Sequence, residues 1–215
     1  LKNKLVNIDN VAIIRGSGAD IKKFIPVEEC IGIPIVMLAS RMLWDKGVGE
    51  FVNAAKTLKQ KGIRARFVLV GDSDPENPAS ISNTQLSEWH ELGIVEWWGE
   101  RSNMCEVLTQ AHIVCLPSYR EGLPKVLLEA ASCSRPIIAT DVPGCREIVH
   151  NGKNGILVPI KNSNSLANAI KELIDNPEKR KSMGINGRRL VESEFSEEIV
   201  VSQTLEVYQE LLNKC

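Results

Sequence analysis

The sequence predicts an α/β fold: a doubly wound, mostly parallel sheet with helices on both faces and a C-terminal run of helices. Three observations point to it. Short apolar runs alternate with stretches of helical periodicity along most of the chain, the pattern of strands joined by crossover helices. The run Ile113-Val114-Cys115-Leu116 is apolar throughout and reads as a buried strand. With 215 residues and 43% hydrophobic content, the chain can bury one sizeable core, so it reads as one domain.

The elements follow in order. Strands are predicted over residues 11–15, 34–39, 66–71, 94–98, 112–116, 136–140 and 155–159. Helices are predicted over 48–61, 82–92, 103–110 and 124–133, with a short one at 145–150, and then over 165–175, 177–194 and 196–212. Pro124 suits a first helical position, where its missing N–H is no loss. Residues 72–80, which contain Pro75 and Pro78, read as a mobile loop. There is no internal repeat and no low-complexity segment.

Composition excludes several classes of function. Lys and Arg number 26 against 27 Asp and Glu, without the basic excess of a nucleic-acid-binding domain. No apolar run reaches the roughly 18–20 residues of a membrane span, and the first residues do not form a signal-peptide core. Six cysteines make no C-x-x-C pair, and His90, His112 and His150 have no metal-ligand spacing. His112 opens an apolar strand and reads as structural, and Cys115 as a small core residue. A reducing, cytoplasmic protein without a resident metal is the expectation.

Chemistry concentrates in Glu121-Gly122-Leu123-Pro124-Lys125-Val126-Leu127-Leu128-Glu129, where seven residues separate two carboxylates across a strand-to-helix junction. The free N–H groups of a helix start attract phosphate, and an ionised carboxylate accepts hydroxyl donors such as the vicinal diols of a ribose or hexose. Together they suit a phosphorylated, polyhydroxylated ligand. Arg41 and Lys46 follow the strand at 34–39, at the carboxyl edge where open α/β sheets bind ligands, and offer a planar fork and a mobile point charge to a diphosphate. Singly, each of these four side chains could be an ordinary solvated charge.

Taken together, these segments resemble the retaining glycosyltransferases of the large family-4 group, which have the GT-B architecture. Glu121 to Glu129 matches the E-x7-E motif, Gly16-Ser17-Gly18-Ala19-Asp20 the GxGxD loop, Ser40-Arg41-Met42-Leu43-Trp44-Asp45-Lys46-Gly47 the GRLxxxKG loop, and Val68-Leu69-Val70-Gly71-Asp72 the VGDG strand end. Ser40 departs from the usual glycine. The resemblance covers nearly the whole chain but half of such an enzyme. It implies a Rossmann-like donor-binding domain, with an N-terminal acceptor domain ahead of it and the last helix, about 196–212, packing on that domain through residues such as Ile199, Val200, Leu205, Val207 and Tyr208.

The resemblance also implies roles. Glu121, Arg41 and Lys46 would act in catalysis, the two cations neutralising the diphosphate in place of a metal. Donor binding would use Gly16, Gly18, Arg41, Lys46, Trp98, Glu121, Gly122, Leu123, Pro124 and Glu129, with Glu129 on the ribose and Glu121 on the sugar. The implied donor is a UDP-linked hexose. The implied acceptor is a glycan or lipid-linked sugar of bacterial surface polysaccharide synthesis, reached by a full-length enzyme that can associate peripherally with the inner face of the membrane. This chain alone is expected to be inactive in transfer. Two alternatives remain at this stage. One is an NAD(P)-binding domain, since Gly16-x-Gly18 begins a dinucleotide fingerprint, although Ile21 stands at its third glycine. The other is a non-catalytic nucleotide-sugar-binding module.

Overall fold

A computed structural model describes residues 11–213. Six strands form one parallel sheet: β1 (Ile35–Ala39), β2 (Arg66–Val70), β3 (Glu96–Trp97), β4 (Ile113–Leu116), β5 (Ile137–Thr140) and β6 (Gly155–Val158), in the order β3-β2-β1-β4-β5-β6. The order reverses between β1 and β4, whose central residues pair as Met37 with Val114 and Leu38 with Cys115. A doubly wound sheet opens its ligand crevice at the carboxyl ends of the strands at such a reversal.

Strand alternation sends side chains to opposite faces. On β1, Ile35, Met37 and Ala39 enter one core, while Val36 and Leu38 enter the other. The first core is covered by α3 (Met104–Gln110), α4 (Lys125–Ser132) and the end of α7 (Pro177–Leu190). The second is covered by α1 (Val48–Gln60), α2 (Asn83–Glu91) and α6 (Ser163–Asp175). Their buried faces follow helical spacing, as with Val48, Phe51, Val52, Ala55 and Leu58 of α1. Leu127 and Leu128 anchor α4 completely buried, each worth about 1.5–3 kcal/mol.

Four expectations need correction. Residues 11–15 form no strand: Ile13 is 83% exposed, and the segment is held by Arg15, which donates to Glu194 at 3.1 Å and lies over the Phe195 ring. The short helix α5 is Pro143–Arg146 rather than 145–150, because Pro143 at a first-turn position fixes its start. The helix expected over 177–194 ends at Leu190 and widens into a π turn, Val191–Phe195, which buries Val191 and Phe195. Pro124 is the N-cap of α4 rather than its first residue. Helix α8 (Glu197–Leu212) closes the described chain, with the Ser196 side chain accepting from the Ile199 N–H.

His112 is structural, as expected. Its Nδ1 accepts the Ile35 N–H at 3.0 Å and its Nε2 donates to the Cys30 carbonyl at 2.9 Å, while burial holds its pKa below the usual histidine value.

Candidate functional site

The loop leaving β1 closes in a 3-10 turn, Trp44–Lys46, ended by Gly47 in the left-handed region at φ 73. A side chain at Gly47 would put its Cβ 2.1 Å from the Pro117 carbonyl oxygen, so glycine lets this turn press against the loop that leaves β4. The two loops are also bonded. The Asp45 carbonyl accepts the Tyr119 N–H at 2.8 Å and the Ser118 hydroxyl at 3.2 Å. This junction brings the Lys46 ammonium to 2.7 Å from the Glu121 carboxylate, with the two side chains only 22% and 11% exposed. Either group left alone there would be a poorly solvated charge.

Beside this pair, between the ends of β1 and β2 and the first turns of α4, lies a cleft of about 460 Å³. Arg41 and Arg101 line it with the carboxylates of Asp72, Asp74, Glu100 and Glu129, and Met104 and Val126 supply an apolar surface. Arg41 donates to Asp74 at 2.8 Å. Burial raises the pKa of Glu129 above the ordinary glutamate value, against the opposing pull of Lys125 and Lys23. Among the described residues no side chain caps the N-terminus of α4, a helix start whose first amides suit an anion. The segment 72–80, whose first residues Asp72–Pro75 line the cleft, is pinned to the β1 loop rather than loose: Met42 N–H donates to the Asp72 carbonyl, Trp44 N–H to that of Ala79 and Ile81 N–H to that of Met42, all within 2.9 Å.

The structure thus brings Lys46 and Glu121 into contact and places Arg41 and Glu129 in the adjoining cleft, with Gly122, Leu123 and Pro124 in the turn between the glutamates. Gly16 packs on Leu123, where a Cβ would come within 2.4 Å of the leucine side chain. Gly18 has a different neighbour: its Cβ would meet the Glu197 backbone at 2.9 Å, because Ala19 exchanges hydrogen bonds with Phe195 and Glu197. Trp98 lies outside the cleft. Its indole donates to Glu96, and it lines a separate hollow with Asn103 and Glu106.

Sequence reasoning missed Ser118 and Tyr119, whose bonds to the β1 loop leave no local signature, and Gly144. A Cβ on Gly144 would fall 2.4 Å from the Glu121 carbonyl oxygen, so α5 buttresses the Glu121 loop at close range. The Pro143-Gly144 pair was the available signal. Among the described residues, no group of three or more His, Cys, Asp or Glu side chains could hold a metal ion. Among them, too, no helix is long and apolar enough to cross a membrane.

A parallel doubly wound sheet with paired cations and carboxylates at its switch point defines a ligand-binding Rossmann-like domain. Residues 31–190 match the family described as glycosyl transferases group 1, and the chain belongs to that family. Its sheet is the C-terminal, Rossmann-like half of a GT-B architecture. A Campylobacter jejuni protein named N,N'-diacetylbacillosaminyl-diphospho-undecaprenol alpha-1,3-N-acetylgalactosaminyltransferase is 32% identical over 99% of this chain and 57% of its own length. Sucrose-phosphate synthase from Thermosynechococcus elongatus superposes with a TM-score of 0.82 at 28% identity, covering 94% of this chain and 53% of that one. The C-terminal domain of a group 1 glycosyl transferase (LpcC) from Francisella tularensis matches with a TM-score of 0.70 at 25% identity, over 83% of this chain and 99% of that one. The chain spans about half the length of the curated relatives it matches.

Proposed function

We propose that this chain is the donor-binding domain of a retaining glycosyltransferase. In this reading it presents a UDP-linked hexose to a glycan or lipid-linked acceptor held by a facing N-terminal domain, in the synthesis of a bacterial surface polysaccharide. The observation that carries the reading is the Lys46–Glu121 pair at the switch point, next to a cleft containing Arg41 and Glu129. Arg41, Lys46 and the uncapped start of α4 take the diphosphate, without a resident metal. Glu129 takes the ribose hydroxyls. Glu121 takes the sugar, beside the Gly122-Leu123-Pro124 turn.

Retention of configuration requires the acceptor hydroxyl to approach on the face that the leaving diphosphate occupies. A diphosphate oxygen can then accept the hydroxyl proton, and the cations stabilise the charge as it develops. The acceptor class draws support from the name of the Campylobacter relative, which specifies a diphospho-undecaprenol-linked sugar. The exposed face of α8, with Val201, Leu205, Tyr208 and Leu212, belongs in this reading against the facing domain, while Val200 is already buried. A full-length enzyme of this kind works at the inner face of the membrane.

Calorimetry with UDP and with uridine tests the reading. Arg41→Ala and Lys46→Ala should each weaken UDP by roughly 10-fold to 150-fold, the worth of one hydrogen bond to a charged group, and leave uridine almost unchanged. Equal losses for the two ligands would remove the diphosphate assignment.

A further inference from the structure

We propose that Ser118 is a positioning residue: its hydroxyl ties the peptide that carries Lys46 to the peptide that carries Glu121. The proposal rests on the donor-binding reading for its consequence, though not for its geometry.

Ser118 is fully buried just past β4. Its Oγ lies 3.2 Å from the Asp45 carbonyl oxygen and 3.1 Å from the Arg120 carbonyl oxygen. Each of these carbonyls shares a rigid peptide plane with the next residue's N–H and Cα, so holding Asp45 O orients the start of Lys46, and holding Arg120 O that of Glu121. A hydroxyl has one proton, which it can give to either carbonyl or share between both. One buried group therefore sets the spacing of the two loops whose side chains meet at 2.7 Å.

The neighbours fix Ser118 itself. Thr140, at the end of β5, donates its hydroxyl to the Ser118 carbonyl. Tyr119 N–H supplies a second donor to Asp45 O at 2.8 Å, and Gly47 closes against Pro117. The junction is thus rigid on three sides, and Ser118 is the member that grips both peptides. Loss of its hydroxyl leaves two carbonyls without that donor and lets the turn bearing Lys46 drift from Glu121. Small shifts of this kind degrade a site that needs its groups held to within about 0.5 Å.

Ser118→Ala tests this in the full chain by two readouts. The first needs no ligand: amide hydrogen exchange should quicken in peptides covering 45–47 and 119–122, and stay unchanged in β2. The second is UDP affinity, which should fall roughly 2-fold to 12-fold, the size of one ordinary hydrogen bond, in the wild-type background. In a Lys46→Ala background the same substitution should cost almost nothing, because it acts through Lys46. Ser118→Cys, which keeps the size and a weak donor, should fall between the two and replaces Ser118→Ala if that variant does not fold. Unchanged exchange at both peptides overturns the proposal, as does an equal UDP loss in both backgrounds, which marks a merely structural residue. Faster exchange in a protein that binds no UDP even as wild type would sustain the junction and reject the donor-binding reading.

Discussion

Lys46 and Glu121 stand 75 residues apart in sequence and 2.7 Å apart in space, and that contact changes what each substitution should do. In the proposed function, an incoming diphosphate would have to compete with Glu121 for Lys46. Glu121→Gln should therefore leave UDP affinity intact or improve it, while lowering turnover of the nucleotide-sugar. Glu129 differs because it lies in the cleft with its carboxylate partly desolvated and its pKa raised. The raised native pKa means that the folded state holds this proton more tightly than the unfolded state does. The stability so gained is present at low pH and lost as pH rises through the folded pKa. At neutral pH Glu129→Gln should accordingly raise the melting temperature of the empty protein. It should also weaken UDP by about 10-fold to 150-fold, since the ribose loses a charged acceptor. For the wild type, UDP affinity should drop on acidification at a pH above that of an ordinary glutamate, and the Gln variant should lack this component. Denaturation scans and calorimetry from pH 4 to 8 on both variants check these signs; a Glu129→Gln protein less stable than wild type at pH 7 would contradict them.

At the scale of elements, the Glu121 loop is set by a close backbone approach, of which the sequence shows only the Pro143-Gly144 pair and not the partner it meets. Gly144 on α5 faces the Gly122 and Glu121 carbonyls, and an added Cβ would stand 2.2 Å and 2.4 Å from those oxygens. Neither oxygen is the end of a flexible side chain, so the backbone itself must move. Gly144→Ala should cost about 1–3 kcal/mol by overpacking and disturb nucleotide-sugar binding with it. Gly122→Ala is the contrasting case, since its Cβ would meet nothing within 4 Å. Its stability should change by less than about 0.5 kcal/mol, while the nucleotide-sugar, which approaches that backbone in the proposed site, binds more weakly. Urea denaturation beside donor titration separates the two, and equal stability losses would refute the contrast. The strands at the sheet centre were legible because β1, β2, β4 and β5 are covered on both faces and read as apolar runs. Residues 11–15 carry the same β-branched composition but find no partner strand, and composition alone cannot supply one. The charged site residues were legible as types at loop positions. Their pairing was not, because Lys46 to Glu121 and Arg41 to Asp74 are contacts that exist only once the crossover helices have brought the loops together.

For the whole molecule, the proposed function turns on orientation across a cleft of which this chain would line one side. In the proposed reading the groups assigned to diphosphate, ribose and sugar all lie on residues 41–129, so nucleotide binding should require nothing outside the chain. Transfer should, because in that reading the acceptor hydroxyl is delivered to the reacting carbon by a facing domain, and the relatives are about twice as long. Holding two reactants in register can contribute about 7–11 kcal/mol of barrier lowering, a term that is lost when one of them diffuses freely. Residues 1–215 should therefore bind UDP without added metal, hydrolyse the nucleotide-sugar slowly with water as acceptor, and form no glycosidic product. Addition of the facing domain should restore transfer while changing UDP affinity little, since none of the proposed UDP contacts lies in it. Mass and linkage analysis of products from the chain alone decides the matter. A defined glycoside made at an enzymatic rate would mean that the acceptor is held here, and that the division of labour between two domains is wrong.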